Sequence, residues 1–245
     1  EWNGAGEWRF GDTEISLRET DQGRELKVSL DCPVVSSGGR FKGTLDALGR
    51  TPFWAGERPK SDCAHRWVPM MTSGCGHVSL TLDDGSELET KGHAYHDRNW
   101  STKSLGQLDI SEWRWGHLAS SGTERVMYRL TSTGDVETLC FGVEMGHDGA
   151  LGYVEGLNSV DHGTAKTAWG IRCPQQWRGE NEVGAFMDLT FEHLVDDGPF
   201  YVRGVTSGAV NGNPALGSAE IIRVGHIDLA RHRALLHLRT LAASP

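Results

Sequence analysis

Apolar and polar residues alternate with a period of two in several stretches of the chain. Leu26, Val28 and Leu30 alternate with Glu25, Lys27 and Ser29, and Val78, Leu80 and Leu82 with His77, Ser79 and Thr81. Val126, Tyr128 and Leu130 interleave with Arg125, Met127 and Arg129, and Met187, Leu189 and Phe191 with Asp188, Thr190 and Glu192; Ile15 and Leu17 open the series. Successive side chains of an extended chain point to opposite faces, so each stretch predicts a strand with one face in the core and one in water, as in antiparallel sheets. Turn-forming clusters separate the stretches: Asp21-Gln22-Gly23, Asp83-Asp84-Gly85, Ser132-Thr133-Gly134-Asp135 and Asp196-Asp197-Gly198-Pro199. Strands at this spacing favour a β-barrel or sandwich. One segment reads as a helix. Beyond Asp228 as N-cap, Leu229 to Leu241 is rich in Leu, Ala and Arg and sets Leu235, Leu238 and Leu241 on one side, although it could equally continue as a strand. Trp54 to Cys63, with Gly56 and Pro59 among charges, is the best linker candidate.

A length of 245 residues makes one large domain or two small ones. The charged residues, 24 Lys+Arg against 33 Asp+Glu, leave a net charge of −9, which argues against nucleic acid as the main partner. No apolar stretch approaches the ~20 residues of a membrane span, so a soluble chain is expected. Glycine, at 32 residues, is nearly twice its usual share of ~7% and has no tripeptide period, which points to many tight turns and short strands. The five cysteines, Cys32, Cys63, Cys75, Cys140 and Cys173, are odd in number and contain no C-x-x-C. They read as free thiols of a reducing compartment, hence a cytoplasmic protein, rather than as a disulfide framework or zinc ribbon. The chain opens Glu1-Trp2-Asn3, without an initiator Met or a signal-peptide pattern, as a processed or truncated product would.

Chemistry is concentrated in Gly92-His93-Ala94-Tyr95-His96-Asp97-Arg98-Asn99-Trp100. In an extended chain His93, Tyr95, Asp97 and Asn99 share one face, and His96, Arg98 and Trp100 the other. Neither face is apolar. Such a strip suits a strand facing a ligand cavity, where a few polar groups orient a guest, or an exposed edge strand charged against aggregation. In Glu112-Trp113-Arg114-Trp115-Gly116-His117, Trp113, Trp115 and His117 share a face, either as a π surface for a polyene or a developing cation or as plain core packing. His65-Arg66-Trp67-Val68-Pro69 again couples an aromatic ring with titratable groups. His93 and His96 would point to opposite faces of a strand, and no H-E-x-x-H occurs, so no metal site is expected. The sequence also lacks a G-x-S-x-G elbow, a P-loop and a G-x-G-x-x-G fingerprint.

The run from Gly92 to Trp100, followed by Trp113-Arg114-Trp115-Gly116, resembles the signature of the carotenoid 1,2-hydratase (hydroxyneurosporene synthase) superfamily, which also takes in AttH-like proteins and lipocalin-like Diels–Alderases. His65 to Pro69, Leu194 to Arg203 and the end from Glu220 to Leu241 fit the same resemblance, which thus runs from about Arg50 onwards. It implies an all-β fold of two packed, antiparallel lipocalin-like barrels with a site in an apolar cavity. The family's N-terminal section looks curtailed here, so the expected division is a partial or rebuilt barrel over 1–90 and a complete one over 91–245, with a short C-terminal helix.

By the same resemblance Asp97 is the candidate acid. A free Asp, with a pKa of ~3.9, is ionised at neutral pH, and burial in an apolar cavity would raise that value and keep it protonated. Tyr95 and His65 would orient Asp97 or a water; Trp67, Trp113 and Trp115 would stabilise a cation; His93, Asn99 and Trp100 complete the substrate-binding set. The expected reaction is acid-assisted addition of water to a C=C bond of a hydrophobic isoprenoid or polyene, with no cofactor and at most peripheral membrane contact. A cyclase or pericyclase on the same scaffold, with Asp97, Tyr95 and Asn99 polarising a carbonyl, is the alternative, and a lipocalin-like carrier the non-catalytic one.

Overall fold

The computed structural model describes residues 6–33, 39–56, 65–134, 138–227 and 229. In chain order the strands are β1 (Gly6–Phe10), β2 (Thr13–Thr20), β3 (Gly23–Pro33), β4 (Arg40–Arg50), β5 (Phe53–Trp54), β6 (His65–Thr81), β7 (Glu87–Ser101), β8 (Glu112–Ser120) and β9 (Thr123–Thr131). They continue as β10 (Leu139–Gly146), β11 (Ala150–Val154), β12 (Asn158–His162), β13 (Ala165–Lys166), β14 (Arg172–Cys173), β15 (Gln176–Asn181), β16 (Gly184–Asp197), β17 (Tyr201–Val210) and β18 (Asn213–Arg223). A four-residue helix, Val224–Ile227, follows. The all-β, antiparallel fold is thus the one the alternation predicts. The helix expected over 229–241 lies outside the described residues apart from Leu229, as do residues 57–63 of the linker candidate, whose first residue, Trp54, ends β5. No helix among the described residues is long and apolar enough to cross a membrane.

The chain divides into two compact units. The first comprises Glu1–Phe53, Trp67–Asn99 and Met145–Ala150; the second comprises Trp54–Arg66, Trp100–Glu144 and Leu151–Pro245. The first is built on a six-stranded sheet in the order β1-β2-β3-β4-β6-β7. Its registers set apolar residues side by side: Leu17, Leu26, Ala47 and Gly76 form one row, and Ile15, Val28, Leu45 and Val78 the next. Between β4 and β6 the pairing steps from Leu48↔Cys75 to Arg50↔Thr72, so β6 carries one extra residue opposite Gly49. Ser73 takes up that bulge with φ +49°, a left-handed conformation that side-chain-bearing residues seldom adopt. The extra residue reverses which face each later side chain of β6 serves. Odd-numbered Trp67 and Met71 face the apolar side before the bulge; even-numbered Gly76 and Val78 face it afterwards.

The second unit holds a ten-stranded sheet in the order β12-β15-β16-β17-β18-β8-β9-β10-β11-β5. The sheet rolls up: Leu118 of β8, Met127 of β9 and Cys140 of β10 share one buried cluster with Trp177 of β15 and Met187 and Leu189 of β16. The backbone N–H of Leu157, just before β12, closes the roll by bonding the carbonyl of Cys140 on β10. The strands are longer than the glycine content suggests, 17 residues in β6 and 15 in β7. Many glycines stand inside strands that approach closely. A Cβ on Gly208 would fall 2.2 Å from the Asp188 carbonyl oxygen, and one on Gly217 only 1.8 Å from that of His117.

Candidate active site

Residues 67–99 of the first unit bring together the candidate acid Asp97, its expected partner Tyr95 and Trp67, whereas His65, the other expected partner, belongs to the second unit. Asp97, half-buried on β7, accepts two hydrogen bonds on the same oxygen. The Trp67 indole N–H donates to Oδ2 at 2.6 Å and the Tyr95 hydroxyl at 3.2 Å. Tyr95 and Asp97 share a face because they are two apart in a strand; Trp67 reaches the same oxygen because the Ser73 bulge has turned it to that side. The Tyr95 ring also lines a cleft of about 310 Å³ with Leu26, Leu45, Ala47, Met71 and Val78. The lining is mostly apolar, with Thr90, Lys91 and His93 among its polar members, and Tyr95 connects it to the Asp97 carboxyl group. His93, exposed, lies along the same cleft, and Asn99 is exposed further along β7.

On the opposite face of β7, His96 is largely buried, with Nδ1 lacking a hydrogen-bond partner. Burial foremost, and the positive charge of Arg24 after it, push the His96 imidazole below its usual range, so it is held neutral. Arg24 in turn is pinned, donating to the Met70 carbonyl at 2.7 Å and to Glu19 Oε2 at 2.8 and 3.1 Å. This ties β3 to β6 beside the bulge.

The second unit holds the other predicted residues in an aromatic row. The His65 ring lies 4.2 Å from that of Trp113, Trp113 stacks on Tyr128 at 6.1 Å, Tyr128 on Phe141 at 5.2 Å, and Phe141 meets Tyr153 at 5.5 Å. Trp115, nearly buried, stacks on His117 at 6.0 Å, and His117 Nε2 lies 3.0 Å from Glu124 Oε2 in a buried pair. The Trp113 indole N–H is buried without a hydrogen-bond partner, a costly state that a ligand acceptor would relieve. Trp100 is half-buried at the end of β7.

The candidates thus fall into two groups: Asp97, Tyr95, Trp67, His93 and Asn99 in the first unit, and His65, Trp100, Trp113 and Trp115 in the second. Sequence reasoning missed Tyr128, Phe141 and Tyr153 in the aromatic row and Met71 in the cleft. Tyr128 was visible as an inward position of an alternating strand; the others come from separate strands whose adjacency no local spacing encodes. Among the described residues no three His, Cys, Asp or Glu side chains converge as metal ligands.

Antiparallel sheets that account for almost all of the described structure define an all-β, lipocalin-like protein. The chain belongs to the carotenoid hydratase CrtC family, whose sequence model matches residues 17–243, and it is accordingly a hydratase-like enzyme of the lyase type. No curated protein matches it by sequence. Among solved structures, an AttH protein from Nitrosomonas europaea superposes with a TM-score of 0.67 at 14% identity, covering 89% of this chain and 70% of that one. Kievitone hydratase from Nectria haematococca gives 0.53 at 14% identity, covering 86% and 83%. CghA with Sch210972 gives 0.59 at 15% identity, covering 89% and 70%. At such identities the likeness concerns the fold.

Proposed function

We propose that the protein adds water to a C=C bond of a small hydrophobic isoprenoid or polyene, with Asp97 as the proton donor. The observation that carries this reading is a carboxyl group held by Trp67 and Tyr95 beside an apolar cleft. The bonds from Trp67 and Tyr95 to Oδ2 hold the carboxyl group in a fixed orientation for the transfer. The Asp97 proton passes to the less substituted alkene carbon as the π electrons form the C–H bond. A tertiary cation remains at the other carbon. The faces of Trp67 and Tyr95 stabilise it by ~0.5–2 kcal/mol each. The lone pair of a water molecule forms the C–O bond, and the proton it sheds returns to the Asp97 carboxylate, restoring the acid. The step consumes only alkene and water.

In the second unit, the row from His65 to Tyr153 offers a conjugated chain a π surface of its own, and the Trp113 N–H a donor. Cys32, Cys75, Cys140 and Cys173 are free thiols, which fits a cytoplasmic enzyme that meets its substrate at most at a membrane surface.

Mass spectrometry of reactions with acyclic carotenoids and linear polyenes, run in ordinary and ¹⁸O-labelled water, tests the reading. The expected product is one water heavier and carries the label. An isomeric product of unchanged mass would replace hydration by cyclisation. Tight binding of a polyene without turnover would mark a carrier.

A further inference from the structure

Within the second unit, and apart from the groups above, a pocket of about 230 Å³ is lined by Arg114, Arg129, Arg172, Arg223, Glu112 and Asp161, with Thr131 among its other walls. Its own acids do not balance it. Glu112 and Asp161 are both taken by Arg114, whose Nε donates to Glu112 Oε1 at 2.7 Å and Nη1 to Asp161 Oδ1 at 2.7 Å. Arg223 shares Glu112, at 2.6 Å from Oε2. Arg129 approaches Asp161 only to 3.8 Å, and Arg172 has no carboxylate partner among the described residues. Four guanidinium groups against two carboxylates leave an excess of two positive charges, carried by half-buried Arg129 and exposed Arg172 at the mouth of a pocket whose floor, Arg114 and Glu112, is 4% and 3% exposed. Like charges gathered around one pocket repel each other, so it favours an anion that neutralises them. Donors are also left over: Arg129 Nε and Thr131 Oγ1 are buried with no hydrogen-bond partner.

We infer that this pocket binds a divalent tetrahedral oxyanion, a phosphate group, between Arg129 and Arg172. A phosphate carries a charge of about −1.5 to −2 at neutral pH and offers three or more acceptor oxygens, matching both the excess charge and the idle donors. Arginine forks suit it through paired N–H···O bonds. The group is either free phosphate or the end of a larger phosphorylated molecule, and the pocket recognises what the two share. The inference stands apart from the hydration chemistry and does not depend on Asp97.

The test is thermal unfolding and ³¹P line broadening with inorganic phosphate, against chloride and acetate at constant ionic strength. Phosphate is expected to raise the melting temperature of the wild type in a concentration-dependent way, chloride not at all, and acetate less than phosphate. Arg172→Gln, on an exposed strand position, should weaken phosphate at least tenfold while its circular dichroism stays that of the wild type; Arg129→Gln should do the same, and exposed Arg66→Gln should change nothing. Geranyl monophosphate displacing phosphate and binding at least tenfold tighter would assign the site to a phosphorylated lipid; equal affinity would assign it to the free ion. Equal effects of phosphate and chloride, or undiminished phosphate binding by the folded Arg172→Gln protein, would overturn the inference.

Discussion

At the scale of single residues, Asp97 accepts hydrogen bonds from Trp67 and Tyr95 on Oδ2, which fixes the orientation of its carboxyl group. Asp97→Asn keeps an acceptor oxygen for Trp67 and Tyr95 but cannot donate a labile acidic proton. Turnover is expected to fall about 10²–10⁴-fold, with an unchanged unfolding midpoint; full activity in a folded variant would remove Asp97 as the acid. Trp67→Phe keeps a ring and loses the N–H. A hydrogen bond to a charged or ionisable group is worth ~1.5–3 kcal/mol, so kcat should drop by about tenfold or more with little change in KM. His96 sets a pH dependence of stability rather than of chemistry. Its folded-state affinity for protons is depressed by burial and by Arg24, below the ~6.5 of an unfolded histidine. The stability it allows is complete above that value and declines as the pH falls through it, because the unfolded chain takes up a proton that the folded one resists. The urea midpoint should therefore fall between pH 7.5 and 5.5, and His96→Gln should narrow the fall. An identical drop in the variant would assign the effect to other groups.

At the scale of elements, the bulge in β6 decides what reaches Asp97. Ser73 holds φ +49°, so Ser73→Gly should be neutral or stabilising by up to ~1 kcal/mol, whereas β-branched Ser73→Val should cost ~1–3 kcal/mol and lower activity, by letting Trp67 swing away from Asp97. Denaturant titration beside kcat separates the two effects. The strands themselves were legible: the alternations at Leu26–Leu30, Val126–Leu130 and Met187–Phe191 became β3, β9 and β16. So was the shared face of Tyr95 and Asp97, since both lie in one strand. The Trp67–Asp97 bond was not legible, because strict alternation says nothing of where an extra residue flips the phase. Strands β17 and β18 were hidden for another reason: Gly204, Gly208 and Gly217 give no apolar signal, and their value lies in letting neighbours approach. Gly116 is of the same kind. A Cβ there would fall 2.7 Å from Leu189 and 3.0 Å from Trp177, so Gly116→Ala should cost ~1–3 kcal/mol by overpacking, read as a lowered melting temperature.

At the scale of the whole molecule, composition spoke for surface properties and was poor at architecture. The net charge of −9 repels anionic lipid, so the protein should stay in the supernatant with phosphatidylserine vesicles at physiological salt; cosedimentation would show a local attraction that outweighs the net charge. The glycine count pointed to turns, where eleven of the described glycines hold positive φ, but composition cannot tell a turn glycine from one at a close crossing inside a long strand. The course of the chain between the two units was likewise beyond it, as Met145–Ala150 joins the first from deep in the sequence of the second. The row of rings from His65 through Trp113 and Tyr128 to Phe141 and Tyr153 has a last consequence, which is optical. At 6.1 Å, light absorbed by Tyr128 passes to Trp113 before it can be emitted, so this tyrosine should be dark and its excitation should reappear as indole emission. Long conjugated chains absorb where indole emits. A polyene settling on the row would therefore extinguish Trp113, and the enzyme would carry its own lamp for watching occupancy.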